Sequence, residues 1–354
     1  MNKEDYQTSN QVNGLILRIE NAIEEKKKIQ SNHAFSQVTK AIELEKLSDD
    51  LMETLSQESL LIHKEYFQKF EEGEETTINP TKEEVILVLN GEDKKSEYEQ
   101  VFADSFGPYK PFNYFMTTTK IVIVDWEPYM KFSELDDYRN NRRPILGGHL
   151  QAKEFPNYDM LEASTHRLAV DFTKLLLSKF SVDKTKDEIM QDHMCILEHN
   201  HFPALAFTGC SSSKKSNVKI FAEWNKYILS SFLKFYEGDI VIGHRDFLNY
   251  LCSPYEGIFS VAIQKGITDT EGESTENLLI AYSEASIIGR KITRSWFNHI
   301  LGGEGASALL DEDGTLWVGY VHMQSRRGDQ WSHQDQEELA SWIHRILSEM
   351  NGDK

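Results

Sequence analysis

The spacing of apolar residues predicts a helical beginning to the chain. Over residues 12–23 and 38–55, apolar residues recur every three or four positions, so each segment is expected to form a helix that buries one stripe. Joined by a short segment, they predict an antiparallel helical pair over about residues 10–70. The charged run at 24–28 is expected to be the solvated end of the first helix. The stripes are Val12, Leu15, Ile16, Ile19 and Ile23, then Val38, Ile42, Leu47, Leu51 and Leu55.

Short continuous apolar runs predict buried strands further along the chain. These runs lie at 85–89, 121–124, 204–207 and 239–242, and residues 112–116 are expected to form a partner strand for the second of them. A 3.6-residue period predicts helices over 158–180, over about 184–198, and in the stretch around Phe232.

The last hundred residues contain both short apolar runs, which predict strands, and segments that predict helices. Residues 259–263 predict a strand, and Ser274 or Thr275 is expected to cap a helix that runs to about residue 301. Asp313-Gly314 lies between two apolar runs, which predicts a β-hairpin. Ser332 is expected to cap a final helix.

Alternation of short strands with helices predicts an α/β or α+β protein. We expect an N-terminal helical pair followed by two mixed α/β domains. The expected boundaries are 1–75 for the pair, 80–255 for a central domain and 256–354 for a C-terminal module.

Charge narrows the classes of partner. The chain carries 38 Lys and Arg against 57 Asp and Glu, a net charge of −19, so nonspecific binding to nucleic acid or to anionic membrane is not expected. The first 100 residues hold 12 basic and 22 acidic residues, which is more than half of that excess. The rest of the chain keeps local basic clusters, so a small anionic ligand remains compatible with it.

Cysteine usage and hydropathy predict the compartment. Cys195, Cys210 and Cys252 are sparse and form no Cys-x-x-Cys motif, which fits a reducing cytosol. The first ten residues lack the apolar core of a signal peptide, and no apolar run is long enough to span a membrane. We therefore expect a soluble cytoplasmic protein.

Possible metal ligands are densest at 192–201. This segment holds Asp192, His193, Cys195, Glu198, His199 and His201, which are residue types that zinc sites use. With Glu188, however, three of them recur at helical spacing opposite Ile189, Ile196 and Leu197. That pattern favours the surface of an amphipathic helix over a metal site.

A second motif follows the strand predicted at 204–207. Cys210 comes after Gly209 and before three serines, and Lys214 and Lys215 nearby would lower the pKa of its thiol. This arrangement resembles the nucleophile region of caspase-like and separase-like cysteine peptidases, and the resemblance implies that His149 is the partner base. The same loop would alternatively be a polar surface loop, or hold an anion on its backbone amides and Lys214.

Acidic and basic residues near predicted strand ends suggest two further sites. Asp125, Glu127 and Glu223 are candidate ligands for a nuclease-like metal site. His244-Arg245-Asp246 matches the triplet of protein kinase catalytic loops, but the chain has no kinase Gly-rich loop or Asp-Phe-Gly, so we discard that interpretation. The candidate residues for an anionic ligand are His244, Arg245, Arg142, Arg143, Lys214 and Lys215.

The segment 306–350 combines the Asp-Gly hairpin with Trp331-Ser332 and Asp335 before a helix. It resembles the C-terminal part of a GAF-like sensory module, and a profilin-like or roadblock-like module fits equally well. The resemblance implies a module that binds a ligand or dimerises.

These observations favour a regulatory or sensory protein that binds a small anionic ligand or a protein partner. One alternative is a hydrolase, acting through Cys210 and His149 or through a metal held by the acids. Another is an interaction protein whose N-terminal helices bind a partner or a second copy. The sequence names no cofactor and leaves open whether the protein is an enzyme.

Overall fold

The computed structural model describes residues 3–71, 113–125, 129–131, 164–198, 204–206, 219–244, 248, 251–253, 285–301, 304–320 and 331–352. This part of the chain contains six α-helices: α1 (Lys3–Ser31), α2 (Gln37–Glu71), α3 (Ser164–Lys179), α4 (Lys186–Asp192), α5 (Lys219–Tyr236) and α6 (His333–Gly352). Its strands are β1 (Ile121–Asp125), β2 (Tyr129–Lys131), β3 (Met194–Glu198), β4 (Ala204–Ala206), β5 (Ile240–His244), β6 (Cys252–Ser253), β7 (Ser286–Ile287), β8 (Arg290–Leu301), β9 (Glu304–Asp311) and β10 (Leu316–Tyr320). The mixture of helices and strands confirms the predicted α/β class.

Eight of the described strands form one mixed sheet in the order β3-β1-β5-β10-β9-β8-β7-β6. β1 and β10 both run parallel to β5, which lies between them. From β10 onward the pairing is antiparallel through β9, β8, β7 and β6. β2 and β4 form a separate parallel pair.

The chain divides into two compact units, each built from separate segments. One comprises Met1–Met116, Trp126–Pro156 and Leu197–Tyr236, and the other comprises Thr117–Asp125, Asn157–Ile196 and Glu237–Lys354. The boundaries predicted at 75–80 and 255–256 stay a prediction. Among the described residues, none of the helices has the length and apolar character that crossing a bilayer requires.

The helical pair is confirmed as α1 and α2. Arg18 pairs with Glu58 at 2.9 Å and the Lys40 Nζ donates to the Gln30 carbonyl at 2.5 Å, so the helices run antiparallel. The buried stripe of α2 differs from the predicted one, because Val38 and Ile42 are 60% and 53% exposed. Val38 lies in the first turn of α2. The residues of α2 that are buried are Ala41, Leu44, Ser48, Leu51, Met52 and Leu55.

The prediction that residues 24–28 are solvated is wrong at Lys26. This side chain is 2% exposed, and its Nζ donates to the Phe235 carbonyl at 2.6 Å and the Lys234 carbonyl at 3.4 Å. Those carbonyls belong to the last turn of α5, where a helix leaves acceptors unpaired. Lys26 therefore ties α1 to the end of α5.

The predicted secondary structure is wrong in three places. Residues 184–198 form α4 followed by strand β3 rather than one helix, because His193 ends α4 and the apolar run 194–197 is fully buried. Residues 290–301 form β8, which pairs with β9 along its length, rather than the end of a helix. Residues 114–116 form a 3-10 turn with Tyr114 buried, rather than a strand.

The predicted β9–β10 hairpin is confirmed, and Asp311 anchors its turn. The Asp311 carboxylate accepts the backbone N–H of Asp313 at 3.0 Å and of Thr315 at 2.9 Å, and the Trp317 indole N–H at 2.9 Å. Arg290 lies at 3.5 Å from the same carboxylate. Gly314 adopts φ +86°, a left-handed conformation that favours glycine.

The predicted cap of α6 is also confirmed. The Ser332 hydroxyl accepts the backbone N–H of Asp335 at 3.1 Å, and the Asp335 carboxylate accepts the backbone N–H of Ser332 at 2.9 Å. This reciprocal pair satisfies donors that the first turn of a helix leaves free.

Candidate functional site

Three parallel strands end side by side in the middle of the large sheet. β1, β5 and β10 are neighbours, so their C-terminal residues Asp125, His244 and Tyr320 lie at one edge. The register pairs Tyr320 directly with His244. It also pairs Val124 with Gly243, which places Asp125 at the next position beside His244. We call these three terminal positions the carboxyl edge.

The order of the strands makes this edge a natural place for a ligand. After β1, the next strand of the large sheet is β3, which lies on one side of β1. After β5, the chain continues to strands that lie on the opposite side. In open α/β sheets, ligands bind outside the carboxyl ends of adjacent strands from which the chain departs in opposite directions. The β1–β5 junction of this sheet meets that condition.

Two glycines face each other one position before the carboxyl edge. Gly243 of β5 pairs with Gly319 of β10, while Val124 and Ser307 of β9 flank the pair in the same register. Glycine inside a strand weakens it and often marks a place where a ligand approaches the backbone. We call Val124, Gly243, Gly319 and Ser307 the glycine row.

Aromatic side chains line the β10 end of the carboxyl edge. The Tyr320 ring centroid lies 5.3 Å from that of Trp331, which lies 5.3 Å from that of Phe172 in an edge-on arrangement. All three side chains are buried. These ring contacts join α3 and the segment just before α6 to the end of β10, and they give this end of the edge an apolar wall.

Ser307 adds an unusual polar group to the glycine row. Its side chain is fully buried, and its hydroxyl has no hydrogen-bond partner in the described part of the chain. Thr173 in α3 also has a buried hydroxyl without a partner among the described residues. Native proteins leave few buried polar groups unpaired, so each such group calls for a physical explanation.

Of the residues predicted from sequence, the structure brings two together. Asp125 and His244 came from different hypotheses, a metal site and an anion site, yet they end adjacent parallel strands. The backbone of Glu223 lies in α5, a helix, rather than at a strand end. The remaining predicted residues lie outside the described ones: Cys210, His149, Lys214, Lys215, Arg142, Arg143, Arg245 and Glu127.

The prediction that the cluster at 192–201 lies on the surface of an amphipathic helix is wrong for residues 193–197, which are buried. His193 is 6% exposed, and its Nδ1 lies 3.0 Å from both the Thr117 hydroxyl and the Thr119 carbonyl. Cys195 is buried in β3. Searched over the described residues only, the structure contains no cluster of three or more His, Cys, Asp or Glu suited to a metal ion.

Sequence reasoning missed Gly243, Gly319 and Ser307. A signal for the glycines was present, because 240–244 and 316–320 share one pattern: three apolar residues, a glycine, then a ring-bearing residue. Nothing local to Ser307 distinguishes it from other strand serines. Its importance comes only from the register that places it beside Gly319.

Comparison of the chain with protein-family models, with curated proteins and with solved structures finds no match. The carboxyl edge and the glycine row are therefore the features of the molecule that bear on its function. Both lie within one compact unit, and every residue of the two except Asp125 has a defined strand partner.

Proposed function

We propose that this protein is a regulatory or sensory protein that binds a small phosphorylated ligand at the carboxyl edge. The observation that carries the proposal is the register that puts Asp125 and His244 side by side where the chain leaves β1 and β5 in opposite directions. The hydrolase alternative through Cys210 and His149 gains no support from the described residues.

The residue types at the edge suit the two parts of such a ligand. His244 is followed in sequence by Arg245, and imidazole and guanidinium groups both donate hydrogen bonds to phosphate. A carboxylate such as that of Asp125 accepts hydrogen bonds from sugar hydroxyls, as acidic residues do in dinucleotide sites. A phosphorylated sugar or nucleotide presents both kinds of group.

A thermal-shift panel tests this proposal. The probes are inorganic phosphate, tripolyphosphate, ribose 5-phosphate, ATP and GTP, with sodium sulfate as the control for ionic strength. A ligand that binds only the folded state stabilises it by about 2.7 kcal/mol at a hundred times its Kd, so a bound probe raises Tm by several degrees. At least one phosphorylated probe is expected to do so, and sulfate is not.

Two histidine variants locate the effect. His244→Gln is expected to abolish the shift, whereas His333→Gln, at an exposed position in the first turn of α6, is expected to keep it. Each variant is first melted without probe to show that it is folded. The proposal is contradicted if no phosphorylated probe shifts Tm, or if folded His244→Gln responds as the wild type does.

A further inference from the structure

The glycine row leaves bare backbone in the middle of a buried sheet face. Residues paired across neighbouring strands point to the same face, so Val124, Gly243, Gly319 and Ser307 share one face. Val124 and Ser307 are three strand spacings apart, about 14 Å. The two positions between them carry no side chain. A flat group can lie against the sheet there more closely than at any row with side chains.

The next row on the same face is entirely apolar. Val122 pairs with Val241, Val241 with Trp317, and Trp317 with Leu309. All four are buried, with at most 2% exposure. This second row closes the glycine row on the side away from the carboxyl edge, so a group that enters the row comes from the strand ends.

The only polar side chain of the glycine row is the Ser307 hydroxyl, which is fully buried and has no partner among the described residues. A hydroxyl donates one hydrogen bond and accepts up to two. The row contains no cationic side chain, so it does not suit a phosphate. An uncharged flat ring that carries hydrogen-bonding atoms at its rim suits both the bare backbone and the hydroxyl.

We propose that the glycine row takes the heterocyclic base of a nucleotide, and that Ser307 hydrogen-bonds the rim of that base. This inference rests on the proposed function, since it requires the phosphate and sugar of the same ligand to lie at the carboxyl edge. His244 and Gly243 are consecutive residues of β5, so they point to opposite faces of the sheet. A ligand that crosses the strand ends therefore reaches His244 on one face and the glycine row on the other.

Binding titrations by calorimetry test the inference. The probes are ATP, GTP, CTP, UTP and inorganic tripolyphosphate, which carries the same phosphate chain without base or sugar. At least one nucleotide is expected to bind ten or more times tighter than tripolyphosphate. Ser307→Ala is expected to weaken that nucleotide about 2- to 10-fold, the effect of one hydrogen bond, and to leave tripolyphosphate unchanged.

The matched control is Ser295→Ala. Ser295 lies in β8 and pairs with Leu309, which is outside the glycine row. It is expected to leave both affinities unchanged. The Tm of Ser307→Ala without probe is a second readout: removal of an unpartnered buried hydroxyl is expected to keep or raise Tm, whereas a structural hydroxyl would lower it.

The outcomes separate this inference from the function on which it rests. If tripolyphosphate binds as tightly as every nucleotide, the base subsite is wrong and the phosphate site stands. The subsite is also overturned if Ser307→Ala leaves all nucleotide affinities unchanged, or if it lowers Tm. If none of the five probes binds, the base subsite is wrong, and if inorganic phosphate and ribose 5-phosphate also fail to bind, both proposals fail.

Discussion

At the scale of single residues, Asp311 shows how a buried charge is tolerated. Its carboxylate has no exposed surface, but three N–H groups and a nearby guanidinium surround it. Burial of an ionised group is costly unless it is paired and hydrogen-bonded. The contacts of Asp311 meet both requirements, and they hold the turn between β9 and β10.

Asp311→Asn is expected to lower the free energy of unfolding by about 3 kcal/mol. The amide replaces an accepting oxygen by a donor that faces other donors, and it removes the charge beside Arg290. Urea denaturation measures the loss. The control is Asp313→Asn in the same turn, where the side chain is 59% exposed and pairs with Arg290 at 2.8 Å. That change is expected to cost less than about 1 kcal/mol, and equal losses in the two variants would refute the account.

At the scale of elements, Lys26 joins two helices by capping. Its ammonium group donates to carbonyls in the last turn of α5, which carries the partial negative charge of that helix. Lys27 lies next to it in sequence, but its side chain is 64% exposed and pairs with Glu24 within α1. The two lysines therefore form a matched pair of buried and exposed positions.

Lys26→Met keeps an unbranched side chain, one atom shorter, and removes its donors, so it is expected to lower the free energy of unfolding by about 2 kcal/mol. Lys27→Met is expected to change it by less than about 0.5 kcal/mol. Guanidinium denaturation followed by circular dichroism measures both. A Lys26→Met protein as stable as the wild type would show that the carbonyls of α5 do not need this donor.

The start of α4 predicts a dependence on pH. Hydrogen bonds from the Thr185 backbone N–H and hydroxyl, with Lys184 adding a further one, hold the pKa of Glu188 below its ordinary value of 4.5. A carboxyl whose folded pKa is lowered stabilises the fold above its ordinary pKa, and this stabilisation is lost as pH falls through the folded pKa.

Wild type is therefore expected to be more stable than Glu188→Gln at about pH 6, and this difference is expected to shrink toward about pH 3. Urea denaturation at a series of pH values measures it. Glu349→Gln, at an exposed position near the end of α6, is the control for removal of an exposed carboxylate. A Glu188→Gln difference that stays constant across the series contradicts the capping account.

Elements with a strong local pattern were predictable from sequence. The continuous apolar runs gave β1 and β5, and Asp313-Gly314 gave the hairpin. β3 was mistaken for helix because polar residues flank a short apolar run at spacings that fit a helix. β8 was mistaken because only pairing with β9 decides its conformation. The predicted strands at 85–89 and 259–263 lie outside the described residues.

At the scale of the whole molecule, the candidate site depends on strand order, which no local pattern contains. More than 70 residues of chain separate β1 from β5, and again β5 from β10, yet these strands are neighbours in the sheet. Asp125 and His244 were each singled out by residue type. Their proximity and the glycine row required the register of the three strands.

The net charge of −19 is unevenly distributed along the chain. More than half of it lies in the first 100 residues, whereas the carboxyl edge is formed by residues beyond 120. Surface charges are screened over about 8 Å at physiological ionic strength. The net charge of the chain therefore does not decide whether an anion binds at His244; the groups close to that residue do.

The most direct test of the central claim observes His244 itself. The imidazole resonances of the 12 histidines are recorded by NMR with ¹⁵N-labelled histidine, and His244→Gln assigns the signal of His244. Tripolyphosphate and ATP are titrated in turn. The account predicts that at least one of them shifts the His244 signal to saturation and leaves the His333 signal in place. Saturable shifts of other histidines with an unmoved His244 signal would contradict it.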